Sequence, residues 1–515
     1  MSWLLPLLIA TPAAGALILA FWPRNRADRD APMAGLVVSA VAFGLSVVVA
    51  LASGTEAGFQ LEQERVWIEP LDVSWHVGID GISSPLVLLT TLLGALCMAS
   101  LLRGGGPRCG GERALVAMLL LLETGVIGTF LALDLVLFFV FFELVLVPMW
   151  FVIAWWGDPH DEPGRRRAAS VFLLLTVIGS AVMLAGFLLV YGYAGTFDVV
   201  ELAERGGEGI PATAQVVAAL AIGLGLAVKT PMWPLHIWLP DAHAKAPTVG
   251  SVLLAGVLLK MGTYGLVRVW LPVVPDGARD VAPYLAVFAV IGIVYGALAC
   301  LAQTDLKRLV AYSSVGHMGF ILLGISTLTP AGINGALFAN IAHGVITGLL
   351  FFLAGALKDR YETAEMAMLG RGLYGRSPRL AGVLAVAAVA SLGLPGLAGF
   401  WGEMLTLLAA FDPIAELPRA TYLVCMAVAG VGAVLTAVYF VAVLRQVCQG
   451  EPAPSGASST AAAPSVASVV SAEATRYELV VWAPLVVLTV LFGLAPGLLL
   501  GVIDPSVVAM FGGGA

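Results

Sequence analysis

The stretch Ala227-Val-Lys229-Thr-Pro231-Met-Trp-Pro234-Leu-His236-Ile-Trp238-Leu-Pro240 decides how this chain folds. It spans the end of one apolar run, 213–235, and leads towards a second, 247–270. Each run is long enough to cross a bilayer as a helix, which takes ~20 residues. Pro231 and Pro234 remove backbone donors and break the helix that carries Lys229. Freed backbone at membrane depth is tolerated only where it is buried in protein or faces water. A broken helix with a titratable group beside it is a transporter feature.

Composition extends this reading to the whole chain. Of its 515 residues, 60% are hydrophobic and 11% charged, with a mean hydropathy of +0.97. Ordinary soluble domains carry roughly 25% charged residues. This balance excludes a soluble enzyme, a nucleic-acid binder and a disordered protein. The net charge of -7 leaves no basic excess to attract nucleic acid. Cys97, Cys109, Cys300, Cys425 and Cys448 are scattered without a C-x-x-C pair, which speaks against a metal centre or a disulfide framework.

Apolar blocks predict an all-α polytopic membrane protein of about fourteen transmembrane helices. The spans are 3–21, 33–53, 81–102, 114–133, 135–156, 168–193, 213–235, 247–270, 282–301, 309–328, 331–357, 381–409, 421–444 and 478–503. The connections alternate in charge. One side holds 19 of the 26 basic residues, among them Arg24, Arg103, Arg165, Lys245, Lys307, Arg371 and Arg476. The other holds Arg65, Arg205, Arg268, Arg279 and Arg419. The positive-inside rule makes the first side cytoplasmic, and an even span count then places both termini outside. No basic residue precedes the apolar run after Leu4, and Arg24, Arg26 and Arg29 follow it. That is the reverse of a cleaved signal peptide, so the run reads as a retained first span.

The domains follow from the spans. Residues 1–113 hold spans 1 to 3, 114–270 a first five-helix set (spans 4 to 8), and 282–445 a second (spans 9 to 13). Residues 446–515 hold a cytoplasmic linker and span 14. The linker, Glu451 to Ala474, is rich in Ala, Ser and Pro. Span 12 contains a second break, Gly393-Leu-Pro395-Gly396. Spans 7 and 12 are five apart and cross in opposite directions, as two inverted five-helix repeats require. The acidic loops around Glu56–Asp72 and Asp198–Glu208 read as solvated external surface.

A charge near the bilayer centre costs ~3 kcal/mol, so such residues are functional candidates. They are Glu123 in span 4, Glu143 in span 5, Lys229 in span 7, Lys260 in span 8, His317 in span 10, His343 in span 11 and Glu403 in span 12. Asp134 stands at the edge of span 5. Arg outnumbers Lys 21 to 5, yet both mid-span cations are Lys. Arg cannot readily lose its proton, whereas a desolvated Lys can, which favours proton handling over a static ion pair. Glu143 needs a partner, and Lys229 is the natural one. Separating such a pair makes a switch that requires no cofactor. The ordinary alternative is a fixed interhelical salt bridge. His317 and His343 suit a relay near neutral pH, and packed, hydrogen-bonded histidines are the alternative. His236 and His243 flank the cytoplasmic end of the broken helix, where loop or capping contacts explain them equally. His76 and His160 read as surface residues. Neither Gly223–Thr230 nor Gly104–Gly111 satisfies a phosphate-binding or dinucleotide fingerprint.

Val228–Thr248 as a whole resembles the signature of the antiporter-like, proton-pumping membrane subunits of respiratory complex I. Gly250-Ser-Val-Leu-Leu-Ala-Gly-Val-Leu-Leu-Lys260-Met-Gly-Thr-Tyr-Gly265 and Tyr312-Ser-Ser-Val-Gly-His317-Met-Gly319 extend the resemblance, which covers about residues 80 to 445. Phe400-Trp-Gly-Glu403 is similar to the M-type chains rather than the sister L and N chains, where a lysine is expected. The resemblance implies a modulating pair Glu143–Lys229 with Glu123 as helper. It also implies Lys260 as central carrier, His317 and His343 as connectors, and Glu403 as outward exit. It implies no cofactor in this chain. FMN, iron–sulfur clusters and quinone belong to partner subunits, and the membrane partners include chains L and N. The location implied is the bacterial inner membrane. A subunit of a multisubunit cation/proton antiporter or a membrane-bound hydrogenase is the related alternative, and a passive membrane scaffold the unrelated one.

Overall fold

A computed structural model of the chain describes residues 3–22, 24–102, 111–369, 372–450 and 473–512. Most of the Gly104–Gly111 loop, Cys109, Arg103, Arg108, Arg371 and most of the linker fall outside them. Among the described residues, 13 helices are long and apolar enough to cross a membrane. The stretch expected as span 12 consists of two shorter apolar helices, Pro378–Ser391 and Ala398–Phe411. The helix stops where Pro395 lacks the N–H that would continue it, and Gly393 and Gly396 take positive φ.

Burial separates core from periphery. Span 8 (Thr248–Val273), span 10 (Leu306–Ser326) and span 11 (Pro330–Tyr361) are 100%, 89% and 94% buried along their apolar windows, whereas spans 2 and 14 are 28% buried. Lys260, His317 and His343 therefore lie within protein, and the outer helices turn apolar side chains outward.

Several elements depart from simple spans. Span 5 divides into Leu135–Leu144 and Leu146–Trp156, just after Glu143. Pro148 has no N–H to offer the Leu144 carbonyl, so the break follows from sequence. Asp134 caps this span by accepting from the N–H groups of Val136 (2.8 Å) and Leu137 (2.9 Å). Span 7 ends at Lys229 and is followed by the short helices Leu235–Trp238 and Leu239–Lys245. Span 8 contains two π-helical segments, Leu254–Leu258 and Leu266–Trp270, on either side of Lys260.

Two expectations need correction. The stretch read as an acidic surface loop contains an antiparallel hairpin, β1 (Gln60–Ile68) with β2 (Val73–Ile79). The last span was expected over 478–503. The helix instead runs Arg476–Leu494, breaks before Pro496, and gives way to a further helix, Gly497–Met510.

Candidate functional site

Span 8 brings Lys260 into the most buried part of the molecule, where it is 0% exposed. Its Nζ donates to the Ala255 carbonyl at 2.5 Å, within the first π-helical segment. Such segments free carbonyls from the regular ladder and are frequent at functional sites. The same Nζ shares a 2.6 Å hydrogen bond with His343 Nδ1 on span 11.

The contacts continue from there. The His343 and His317 rings meet edge-on, with centroids 5.5 Å apart. His317 Nδ1 lies 3.4 Å from Glu403 Oε1, and its Nε2 shares a 3.0 Å hydrogen bond with the Ser391 hydroxyl. A cavity of about 20 Å³ is lined by His317, His343, Thr347, Ser391 and Glu403. That is room for about one water molecule. His343 Nε2 and Thr347 Oγ1 are buried without hydrogen-bond partners. Four of the residues expected from sequence thus form one line across spans 8, 11, 10 and 12.

The other three are arranged differently. Lys229 is 2% exposed, and its Nζ has no hydrogen-bond partner. It lies over the Phe142 ring, 4.7 Å from the centroid. Glu143 is the charge that acts on it electrostatically, but no direct hydrogen bond joins them, and Glu143 Oε1 is also unpartnered. The expected pair is therefore present as neighbours without contact. Glu123 is 2% exposed and accepts from Ser39 Oγ at 2.8 Å. It packs towards spans 2 and 3 and makes no hydrogen bond to Glu143.

Several titratable residues lie in surroundings that their place in the sequence does not predict. Arg268 was assigned to an external loop, but it is buried in span 8 and ion-paired with Asp80. His76 was read as exposed. It is 7% exposed and bonds Asp198 through Nδ1 at 2.5 Å. Burial pushes its pKa down, and the Asp198 hydrogen bond with the charges of Asp198, Glu64 and Glu62 outweighs that, leaving it above 6.5. His243 is fully buried against Phe351 and both its ring nitrogens lack partners, with Lys260 and Lys307 as charged neighbours. Ser391 was missed, although a hydroxyl two residues before the Gly393 break was a visible signal.

Comparison with known proteins follows the same lines. Residues 132–434 match the family described as NADH:quinone oxidoreductase/Mrp antiporter, transmembrane. NADH-quinone oxidoreductase subunit M of Rhodobacter capsulatus is 38% identical, over 98% of this chain and 96% of that protein. A chain in the structure of respiratory complex I from Thermus thermophilus with bound NADH superposes with a TM-score of 0.84, at 28% identity, covering 99% of this chain and 100% of that one. A chain of the Mrp complex from Dietzia sp. DQ12-45-1b shares the fold, with a TM-score of 0.83 at 22% identity, covering 99% and 98%. With more than half of its length matched by the family pattern and nearly all of it by an M-type relative, the chain belongs to the antiporter-like family of NADH-quinone oxidoreductase membrane subunits.

Proposed function

We propose that this chain moves protons across the bacterial inner membrane as an M-type subunit of NADH-quinone oxidoreductase. NADH oxidation and quinone reduction take place in partner subunits, which hold FMN and the iron–sulfur clusters. The observation that carries this reading is the line Lys260–His343–His317–Glu403, in which each neighbour lies within direct or one-water reach. Protons pass along such a line when each group can both accept and release one.

Lys260 is the central carrier. His343 and His317 pass the proton on, and Glu403 delivers it outward. Lys229 and Glu143 form the modulating pair, with Glu123 tuning their surroundings. His243, between Lys260 and Lys307, supports proton supply from the cytoplasmic side. The static cation uses a different residue type. Arg268 is locked to Asp80, whereas the two groups assigned a transferable proton are lysines.

The two five-helix sets, 114–270 and 282–445, are inverted repeats in this reading, with the break after span 7 and the break in span 12 as counterparts. Both termini lie on the outer side, and the neighbours in the membrane are the sister chains L and N. The test is proton uptake by vesicles containing the assembled complex with Lys260→Ala. The reading requires pumping to disappear while the complex remains assembled.

A further inference from the structure

The hairpin carries a second cluster of ligand-bearing side chains, far from the relay. His76 on β2 stands opposite Glu64 on β1, and Glu62 shares that face two residues away. Asp198 reaches the same point from the start of the short helix Val199–Arg205. Glu64, His76 and Asp198 each present a ligand atom, and these atoms all lie within 4.8 Å of one another.

The imidazole is the telling group. It is 7% exposed, and Asp198 holds its Nδ1 at 2.5 Å. Its Nε2 makes no hydrogen bond and faces Glu62 Oε1 across 4.0 Å. That gap is too long for a hydrogen bond. Two ligands on a tetrahedral zinc with bonds of ~2.0 Å stand about 3.3 Å apart, so a small inward turn of the exposed Glu62 side chain brings the two atoms to that spacing. A carboxylate on one ring nitrogen, orienting the other towards a metal, is the usual outer support of a histidine ligand. His76 lines a cavity of about 580 Å³ whose other lining residues include Glu62, Glu64, Asp72, Asp134, Asp198 and Glu204 and, among the described residues, no lysine or arginine. The acidic lining supplies two or more carboxylates to neutralise a dication.

We propose that this cluster is a binding site for a divalent cation of the zinc class. His76 Nε2 and the carboxylates of Glu62 and Glu64 are the ligands, and Asp198 orients the ring. Water completes the coordination. The bound ion ties the hairpin together where Asp198 anchors it to the 196–205 segment.

The experiment uses the assembled complex in detergent, stripped with a chelator, equilibrated with zinc chloride and freed of loose metal by gel filtration. Zinc is counted by mass spectrometry in the wild type, His76→Gln and the double variant Glu62→Gln/Glu64→Gln. The wild type should retain about one more zinc per complex than either variant, and its X-ray absorption should show an imidazole with oxygen ligands. Equal zinc in all three, or a spectrum without imidazole, overturns the proposal. If His76→Gln fails to assemble, the double variant alone decides, because Glu62 and Glu64 lie at the surface of the hairpin. Retention of metal by that variant equal to wild type also overturns the proposal.

Discussion

Lys260 Nζ and His343 Nδ1 lie 2.6 Å apart between spans 8 and 11, with both side chains buried. At that distance one nitrogen must accept what the other donates, and two protonated groups would repel. A proton arriving at Lys260 is therefore felt directly by His343.

Replacing His343 by Leu leaves Lys260 with only the Ala255 carbonyl as partner. A hydrogen bond to a charged group is worth about 1.5–3 kcal/mol. Proton pumping by the assembled complex should fall at least about tenfold, since 1.4 kcal/mol is a factor of ten. Pumping in vesicles checks this, and a rate within twofold of wild type would remove His343 from the path.

Arg268 and Asp80 should behave as a structural pair. Asp80 also accepts from Ser83 N–H at 3.0 Å and Ile82 N–H at 3.1 Å, while Gly81 N–H reaches Ser506 Oγ at 3.0 Å. The pair thus joins spans 3 and 8 to the last helix. Asp80→Ala leaves a buried guanidinium uncompensated, at a cost of about 3–5 kcal/mol. The expected result is a lower melting temperature and reduced assembly. In whatever complex does assemble, the pumped-proton-to-electron ratio should be unchanged.

The relay candidates were legible because a charge inside an apolar run stands out in any sequence. The positions of most spans were legible for the same reason, although the ends of spans 7 and 14 were not. The hairpin was not. In β2 both faces are largely buried, and β1 is mostly exposed, so neither shows a clean alternation. The burial of His76 depends on Asp198, over a hundred residues away. The separation of Lys229 from Glu143 is a matter of side-chain placement between helices, which spacing along the chain does not encode. The break before Pro496 was present in the sequence and was obscured by the apolar residues on both sides of it.

The surface that carries Asp158 and Lys358 offers a pH test. Burial raises the Asp158 pKa, but the 2.9 Å hydrogen bond from Lys358, the His160 N–H and the Lys358 charge overcome it, leaving it below 3.8. A depressed carboxyl stabilises the folded form above its unfolded value and loses that contribution as pH falls through the lowered one. Hydrogen exchange in segments 157–161 and 358–361, corrected for intrinsic rates, should hold constant from about pH 8 to 5 and rise only below about 4. Lys358→Met should raise it at every pH in that range.

Glu123 offers a milder test. Ser39 is its hydrogen-bond partner, so Ser39→Ala leaves a buried carboxyl oxygen unsatisfied, a cost of about 1–3 kcal/mol. Stability should fall measurably. Glu123→Gln keeps the bond and should preserve stability while slowing pumping through its effect on the surroundings of Glu143. Thermal melting and vesicle pumping separate the two outcomes.

The central claim is that buried lysines here give up and regain protons. Lys229 tests it most directly, because its Nζ has no hydrogen-bond partner and sits beside Glu143 without touching it. Lys229→Arg keeps the positive charge and removes the ability to release a proton. The measurement is proton pumping by vesicles containing the assembled Lys229→Arg complex. Abolished pumping with largely stalled electron transfer is the predicted result, and normal pumping would contradict the account.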